Sequence, residues 1–161
     1  MDRETKKHWT VRSLVTSSPE ETIDMGVRVA RGLEQGDFIA LEGALGAGKT
    51  VFVKGVAKGL GIANYLYVNS PSFVIVKEYS GRLDLYHFDV FRLDQEGFTD
   101  TLDYRRYFYG RGVTVVEWAD KIKDALPDEY LDIRITHVSP MQRRFDLRGR
   151  GRRYSRIIDK L

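Results

Sequence analysis

Between Gly43 and Thr50 the chain reads Gly43-Ala44-Leu45-Gly46-Ala47-Gly48-Lys49-Thr50, a complete match to G-x-x-x-x-G-K-[ST]. These residue types suit one task, the holding of phosphate. Glycines let the backbone wrap around phosphates in conformations that side chains forbid. Amide N–H groups from about Gly46 to Thr50 then point inward at a positive helix N-terminus. Lys49 supplies a mobile cation for the β- and γ-phosphates, and the Thr50 hydroxyl reaches Mg2+. The base is read as adenine. No N-K-x-D guanine reader occurs, since Ala119-Asp120-Lys121-Ile122-Lys123-Asp124 does not fit, and the D-x-x-G match at Asp94 to Gly97 follows no buried strand. ATP and Mg2+ are the expected cofactors.

A phosphate loop needs an acid for the metal at the end of a neighbouring strand. Two positions qualify: Glu117, directly after Val113-Thr114-Val115-Val116, and Asp89, after Tyr86-His87-Phe88. Either can hold Mg2+ directly or through water, and the other can orient the attacking water. His87 alone reads as a structural histidine. Ser70-Pro71-Ser72-Phe73 falls where switch segments of nucleotide hydrolases lie, and the Ser72 hydroxyl could sense the γ-phosphate or its metal.

These residues need a scaffold. Phe38 to Leu41 is a short apolar run suited to a buried strand, and Val51 to Leu60 looks helical up to Gly59 and Gly61. Ser17-Ser18-Pro19-Glu20-Glu21 reads as a helix start, with a serine cap, proline in the first turn and acids behind it. That helix is expected to run on to Gly36. Trp9 to Val15 suits an edge strand, Ser72 to Tyr79 and Arg82 to Phe88 suit a hairpin about Ser80-Gly81, and Tyr130 to Ile135 alternates as a further strand. Asp94 to Tyr109 reads as helix and loop. The expectation is an α/β fold, a single P-loop NTPase domain over residues 1–161. Its central sheet is mostly parallel, with antiparallel additions and flanking helices.

At 161 residues and 42% hydrophobic, the chain can bury a core. It has no cysteine, which excludes disulfides, thiolate metal sites and cysteine nucleophiles. No apolar stretch is long enough to span a membrane, and the charged start, Met1 to His8, leads into no hydrophobic signal core. A cytoplasmic protein is the plain reading. The formal net charge of +3 is small, but its distribution is uneven. Arg143, Arg144, Arg148, Arg150, Arg152, Arg153 and Arg156 crowd residues 143–161, with aromatics and glycines between them. Such a basic segment can grip nucleic-acid phosphates, dock on an acidic partner, or simply keep a surface solvated.

Taken in order, these pieces resemble the TsaE family, small bacterial ATPases of tRNA threonylcarbamoyladenosine synthesis. The resemblance rests on Pro19-Glu20-Glu21-Thr22 with Gly26, Leu41-Glu42-Gly43 through Thr50, Ser70-Pro71-Ser72-Phe73, His87-Phe88-Asp89-Val90-Phe91-Arg92-Leu93 and Glu117-Trp118. It implies partnership with the TsaB and TsaD proteins, with ATP hydrolysis resetting their complex between cycles. It also implies Thr22 near the base, Ser72 at the switch position, Asp89 as the acid required for hydrolysis, Glu117 on the Mg2+ side and Trp118 close to the nucleotide. The chain departs from the family's usual pattern at Ala44 for Asp, Ser72 for Thr and Phe91 for Tyr. Two other functions fit a phosphate loop: a small-molecule kinase, with Arg105, Arg106 and Arg111 as lid candidates, and a nucleotide-dependent binding switch with negligible turnover.

Overall fold

The structure, a computed structural model, describes residues 9–101 and 103–161. The charged start of the chain and Leu102 lie outside the described residues. In chain order the elements are β1 (Trp9–Thr16), α1 (Pro19–Ala30), β2 (Phe38–Glu42), α2 (Lys49–Gly59), β3 (Val76–Tyr79) and β4 (Leu85–Asp89). They are followed by α3 (Gln95–Thr101), α4 (Arg105–Phe108), β5 (Val113–Glu117), β6 (Tyr130–His137), β7 (Arg143–Arg150) and α5 (Arg152–Asp159). The seven strands form one sheet in the order β1-β7-β6-β2-β5-β4-β3. β6, β2, β5 and β4 run parallel to one another, β3 closes one edge antiparallel, and β7 with β1 extends the other by antiparallel pairing.

β2 is the centre of this arrangement, and its sequence explains why. Phe38, Ile39, Ala40 and Leu41 are all buried, as a parallel strand covered on both faces requires. Ile39 and Leu41 point to the core under α1, α2 and α5. Phe38 and Ala40 point to the other core, where Phe88, Phe98, Tyr107 and Phe108 pack edge to face. Two layers of helix therefore hold the carboxyl ends of β2, β4 and β5 at one rim, and the site is built on that rim.

The start of α1 follows the expectation. Ser18 caps it, accepting a hydrogen bond from the Glu21 amide at 3.1 Å, with Pro19 in the first turn. Its end does not, because the helix stops at Ala30 rather than near Gly36. The Gly32 and Leu33 amides donate to Val29 and Ala30, tightening the last turn. Gly32 also packs against Ile157 of α5, where a methyl group would sit 3.1 Å from the side chain.

α1 and α2 touch backbone to backbone. A Cβ at Gly26 would lie 2.5 Å from the Phe52 carbonyl oxygen, and one at Gly55 would collide with that of Ile23. Since α2 begins at the phosphate loop, this contact sets where the loop stands. Gly55→Ala is expected to force the helices apart at a cost of about 1–3 kcal/mol. Thermal unfolding followed by circular dichroism should then show a midpoint several degrees lower, at roughly 2–4 °C per kcal/mol for a chain of this size.

Two strand expectations need correction. Only Val76–Tyr79 of the stretch from Ser72 is strand. Residues 72–74 form a turn, closed by the Ile75 amide donating to the Pro71 carbonyl at 2.6 Å, with Ile75 left-handed at φ 71°. The hairpin also has a longer connection than the dipeptide Ser80-Gly81, since the register pairs Tyr79 with Leu85. Residues 80–84 are drawn down onto the helix ends. The Arg82 amide donates to the Leu60 carbonyl at 2.8 Å, and its guanidinium donates to the carbonyls of Ala30 and Gly59. A cation is well placed at two helix C-termini.

The arginine-rich segment is no appendage. β7 lies inside the sheet, hydrogen-bonded to β6 on one side and β1 on the other, and buries Phe145 and Leu147. α5 then folds back onto the sheet. There the Tyr154 hydroxyl accepts the Phe38 amide at 2.9 Å and the Arg153 guanidinium clamps the Asp37 carboxylate. Burial beside Asp37 pushes the Tyr154 phenol far above its usual range. The arginines therefore split. Arg144, Arg148 and Arg150 share the open face of the β1–β7–β6 sheet, while Arg153 serves the fold.

Candidate nucleotide site

β2 ends in Glu42, residues 43–48 turn, and α2 begins at Lys49. Gly46 at φ 76° and Gly48 at φ 107° take left-handed backbone, which a side chain would strain. The loop thereby curls around the start of α2, the kind of turn whose free amides can bind an anion.

Lys49 is 5% exposed. Its ammonium donates to the carbonyls of Gly43 at 2.6 Å and Ala44 at 2.9 Å, and stands 4.0 Å from the centre of the Trp118 ring. Burial lowers its pKa, and the carboxylates of Glu117, Asp89 and Asp120 oppose that shift without cancelling it. Trp118 holds its place through a left-handed backbone, φ 63°, and through Phe91, whose ring centre lies 4.9 Å away.

The two acids stand side by side, because Asp89 ends β4 and Glu117 ends β5 in direct register. Each is buried and each is held differently. The Thr50 hydroxyl donates to Glu117 at 3.0 Å to Oε1 and 3.2 Å to Oε2, while His87 Nε2 lies 2.8 Å from Oε1. Asp89 accepts the Phe91 amide at 2.9 Å on Oδ1 and the Ser70 hydroxyl on Oδ2. A carboxylate that accepts its own i+2 amide has its orientation locked.

Among the hollows that the loop lines, two meet at Gly46 and Gly48. One, of about 230 Å3, is lined by the loop from Leu45 to Val51 together with Ser70, Asp89, Glu117 and Trp118. The other, of about 110 Å3, lies across Gly46 and Gly48, between Thr22 at the start of α1 and Pro140, Met141 and Arg143 of the β6–β7 turn. Thr22 is buried and shares a 2.8 Å hydrogen bond with Thr16. Gly43, Leu45, Gly46, Ala47, Gly48, Lys49, Thr50, Asp89, Glu117 and Trp118 thus come together at one rim, and Thr22 joins them from the far side of the loop. Ser72 does not line the larger hollow; Ser70 does, two residues earlier.

Some site residues escaped the sequence reading. Met141 and Arg143 sit beside the loop because the β6–β7 turn brings them there, and only the strand pairing could have revealed it. Ser70 was visible in Ser70-Pro71-Ser72-Phe73 but passed over for its neighbour. Of the lid candidates, Arg106 donates to the Tyr107 hydroxyl at 2.9 Å, and neither it, Arg105 nor Arg111 lines the hollow beside the loop.

The donors at this rim suit a small hard cation: a hydroxyl, two carboxylates and room for phosphate oxygens. No group of three or more His, Cys, Asp or Glu converges on a single metal position among the described residues. Mg2+ is usually held that way, by few protein oxygens with substrate phosphates and water completing the shell.

Sheet order, loop and strand-end acids define a P-loop NTPase fold. The sequence profile of the family described as threonylcarbamoyl adenosine biosynthesis protein TsaE matches residues 16–145, and the chain belongs to that family. It is 44% identical to the tRNA threonylcarbamoyladenosine biosynthesis protein TsaE of Bacillus subtilis, over 91% of this chain and 90% of the relative. It is 43% identical to the TsaE protein of Treponema pallidum, over 75% of this chain and 88% of that one. The crystal structure of Bacillus subtilis YdiB superposes with a TM-score of 0.79 at 37% identity, covering 95% of each chain. No helix among the described residues is long and apolar enough to cross a membrane.

Proposed function

We propose that this chain is a Mg2+-dependent ATPase that supports formation of threonylcarbamoyladenosine beside the anticodon of tRNAs, by binding and resetting a complex of the TsaB and TsaD proteins. The observation that carries the enzymatic half is the meeting of Lys49, Thr50, Asp89 and Glu117 at one rim of the sheet. The biosynthetic half rests on membership of the family and on the names of its relatives.

In this reading the loop amides and Lys49 bind the phosphates. Thr50 and Glu117 hold Mg2+, which when bound neutralises charge on the β- and γ-phosphate oxygens. Asp89, locked by Ser70 and the Phe91 amide, orients the attacking water and accepts its proton. Trp118 and Phe91 keep bulk water from the Lys49 side. The base takes the smaller hollow, against Thr22, Met141 and Arg143. A kinase reading is weaker, since no arginine from the segment between α3 and β5 lines the hollow beside the loop.

The test is ATP hydrolysis by the protein alone, then with TsaB and TsaD together. Turnover that is slow alone and rises with the pair is the expected result. Turnover indifferent to the pair would leave a nucleotide-binding protein without this role, and tight nucleotide binding without phosphate release would favour the switch.

The open sheet face is proposed as the contact for the partner complex or its tRNA. Three of its arginines are neutralised locally: Arg134 pairs with Glu42, Arg144 with Asp146 and Arg150 with Asp132. Arg148 pairs with none of these acids and lies 5.9 Å from the Trp9 ring centre. Arg148→Glu is therefore the informative substitution, since truncating β7 would remove an interior strand. If tRNA phosphate is contacted, the variant should bind more weakly and with a salt slope shallower by roughly 0.7–0.9. Unchanged affinity for both partner complex and tRNA across a salt series would exclude this face.

A further inference from the structure

His87 is wholly buried, 0% exposed, on a sheet face that is apolar apart from the acids at its strand ends. Along β4 the inward positions read Leu85, His87, Asp89; along β5 beside it they read Val113, Val115, Glu117. Val115 stands opposite His87. Nδ1 has no hydrogen-bond partner among the described residues. An imidazole buried with one nitrogen orphaned destabilises the fold relative to an aliphatic side chain, so packing does not account for it.

Its other nitrogen shows what it does. Nε2 lies 2.8 Å from Glu117 Oε1. An ionised carboxylate only accepts hydrogen bonds, so Nε2 carries the ring proton and donates it. Glu117 Oε1 then receives both His87 and Thr50, while Oε2 receives only the longer Thr50 contact at 3.2 Å. The carboxylate is thereby held through Oε1 by both β4 and the start of α2.

We infer that His87 is a positioning residue: its Nε2–H fixes the Glu117 carboxylate in the orientation that Mg2+ binding at Thr50 requires. This rests on the nucleotide-site reading above. Groups one shell out from a metal commonly change its affinity by about 10–100-fold when removed.

The experiment measures the Mg2+ concentration for half-maximal binding of a fluorescent ADP analogue, and separately the analogue's affinity in EDTA. His87→Leu keeps the bulk without a donor. His87→Asn puts an amide near the position of Nδ1, short of Glu117. His87→Gln carries its amide nitrogen near the position of Nε2 and can still donate. The Leu and Asn variants should need about 10–100-fold more Mg2+, with EDTA affinity unchanged, and the Gln variant should recover most of the loss. A Leu variant with the wild-type Mg2+ midpoint overturns the inference. So does an equal shift in all three variants, which would mark a packing role. Should Leu or Asn fail to fold, the other is read against Gln: a midpoint raised tenfold or more that Gln restores upholds the role, and equal midpoints in the two sink it. A wild-type protein whose nucleotide binding ignores Mg2+ would instead overturn the parent reading, and the two failures are distinct.

Discussion

Lys49→Ala should abolish ATP hydrolysis and weaken nucleotide binding by at least about a hundredfold, while the unliganded protein stays as stable as wild type. The binding loss follows from the lysine's place at the mouth of the loop. Two charge-assisted hydrogen bonds to phosphate contribute about 1.5–3 kcal/mol each, and each 1.4 kcal/mol is about tenfold in affinity. The stability claim follows from what Lys49 does without nucleotide. It is 5% exposed and donates to two loop carbonyls, yet burial still holds its pKa below the usual lysine value despite Glu117, Asp89 and Asp120.

The sign can be worked out. A base whose folded pKa lies below its unfolded one binds protons less well when folded, so its charge opposes folding at neutral pH. That penalty is full below the folded pKa and fades as pH rises through it toward the unfolded value. Removing the charge therefore relieves a penalty at pH 7, which offsets the lost hydrogen bonds and the lost contact with Trp118. Thermal unfolding without nucleotide checks this half, and isothermal titration with ADP and Mg2+ checks the other. A midpoint several degrees lower in the mutant would mean that Lys49 is part of the packing. Retained nucleotide affinity would mean that the loop grips phosphate through its amides alone.

The parts of this site that the sequence announced are those whose chemistry is local. The loop motif carries its own backbone demands at Gly46 and Gly48, and it lies between an apolar run and a helical one. Strand, turn and helix were therefore readable together. Asp89 and Glu117 were readable because each is the first acid after a strand-like run, and the end of such a strand is where the rim must be. Ser72 was misassigned to a strand because Ser72 to Tyr79 is rich in β-formers; the bond from the Ile75 amide to Pro71 wins locally, and pairing with β4 begins only at Val76. The arginines were legible as a count but not as a place. Alternation along β7 sends Arg144, Arg148 and Arg150 to one face, and α5 carries Arg153 to Asp37. Nothing within the segment reports those partners, which come from β1, β6 and the turn before β2. Likewise the contact of His87 with Glu117 joins residues on different strands, and only the parallel register of β4 with β5 brings them together.

That register also separates the two acids by what they can do, and so yields the second large effect. Asp89→Asn should lower ATP turnover by about 10²–10⁴-fold, the usual range for loss of a general base, with nucleotide affinity changed only a few-fold. Glu117→Gln should instead raise the Mg2+ requirement for nucleotide binding by about tenfold or more, with turnover partly restored at saturating Mg2+. The distinction lies in the partners. Glu117 is bonded to Thr50, the hydroxyl beside the lysine proposed to bind phosphate, so in that reading its charge is committed to the metal side. Asp89 is bonded to Ser70 and the Phe91 amide, both outside the loop, so it is oriented by the segments flanking the hollow. Asparagine keeps the shape, with its Oδ1 still accepting the Phe91 amide and its Nδ2 now donating to the Ser70 hydroxyl, but it cannot take a proton from water. Single-turnover hydrolysis at saturating nucleotide, run across a Mg2+ series for both variants, reads the two effects independently. If Asp89→Asn turns over normally while Glu117→Gln does not at any Mg2+ concentration, the roles are reversed and Glu117 is the base.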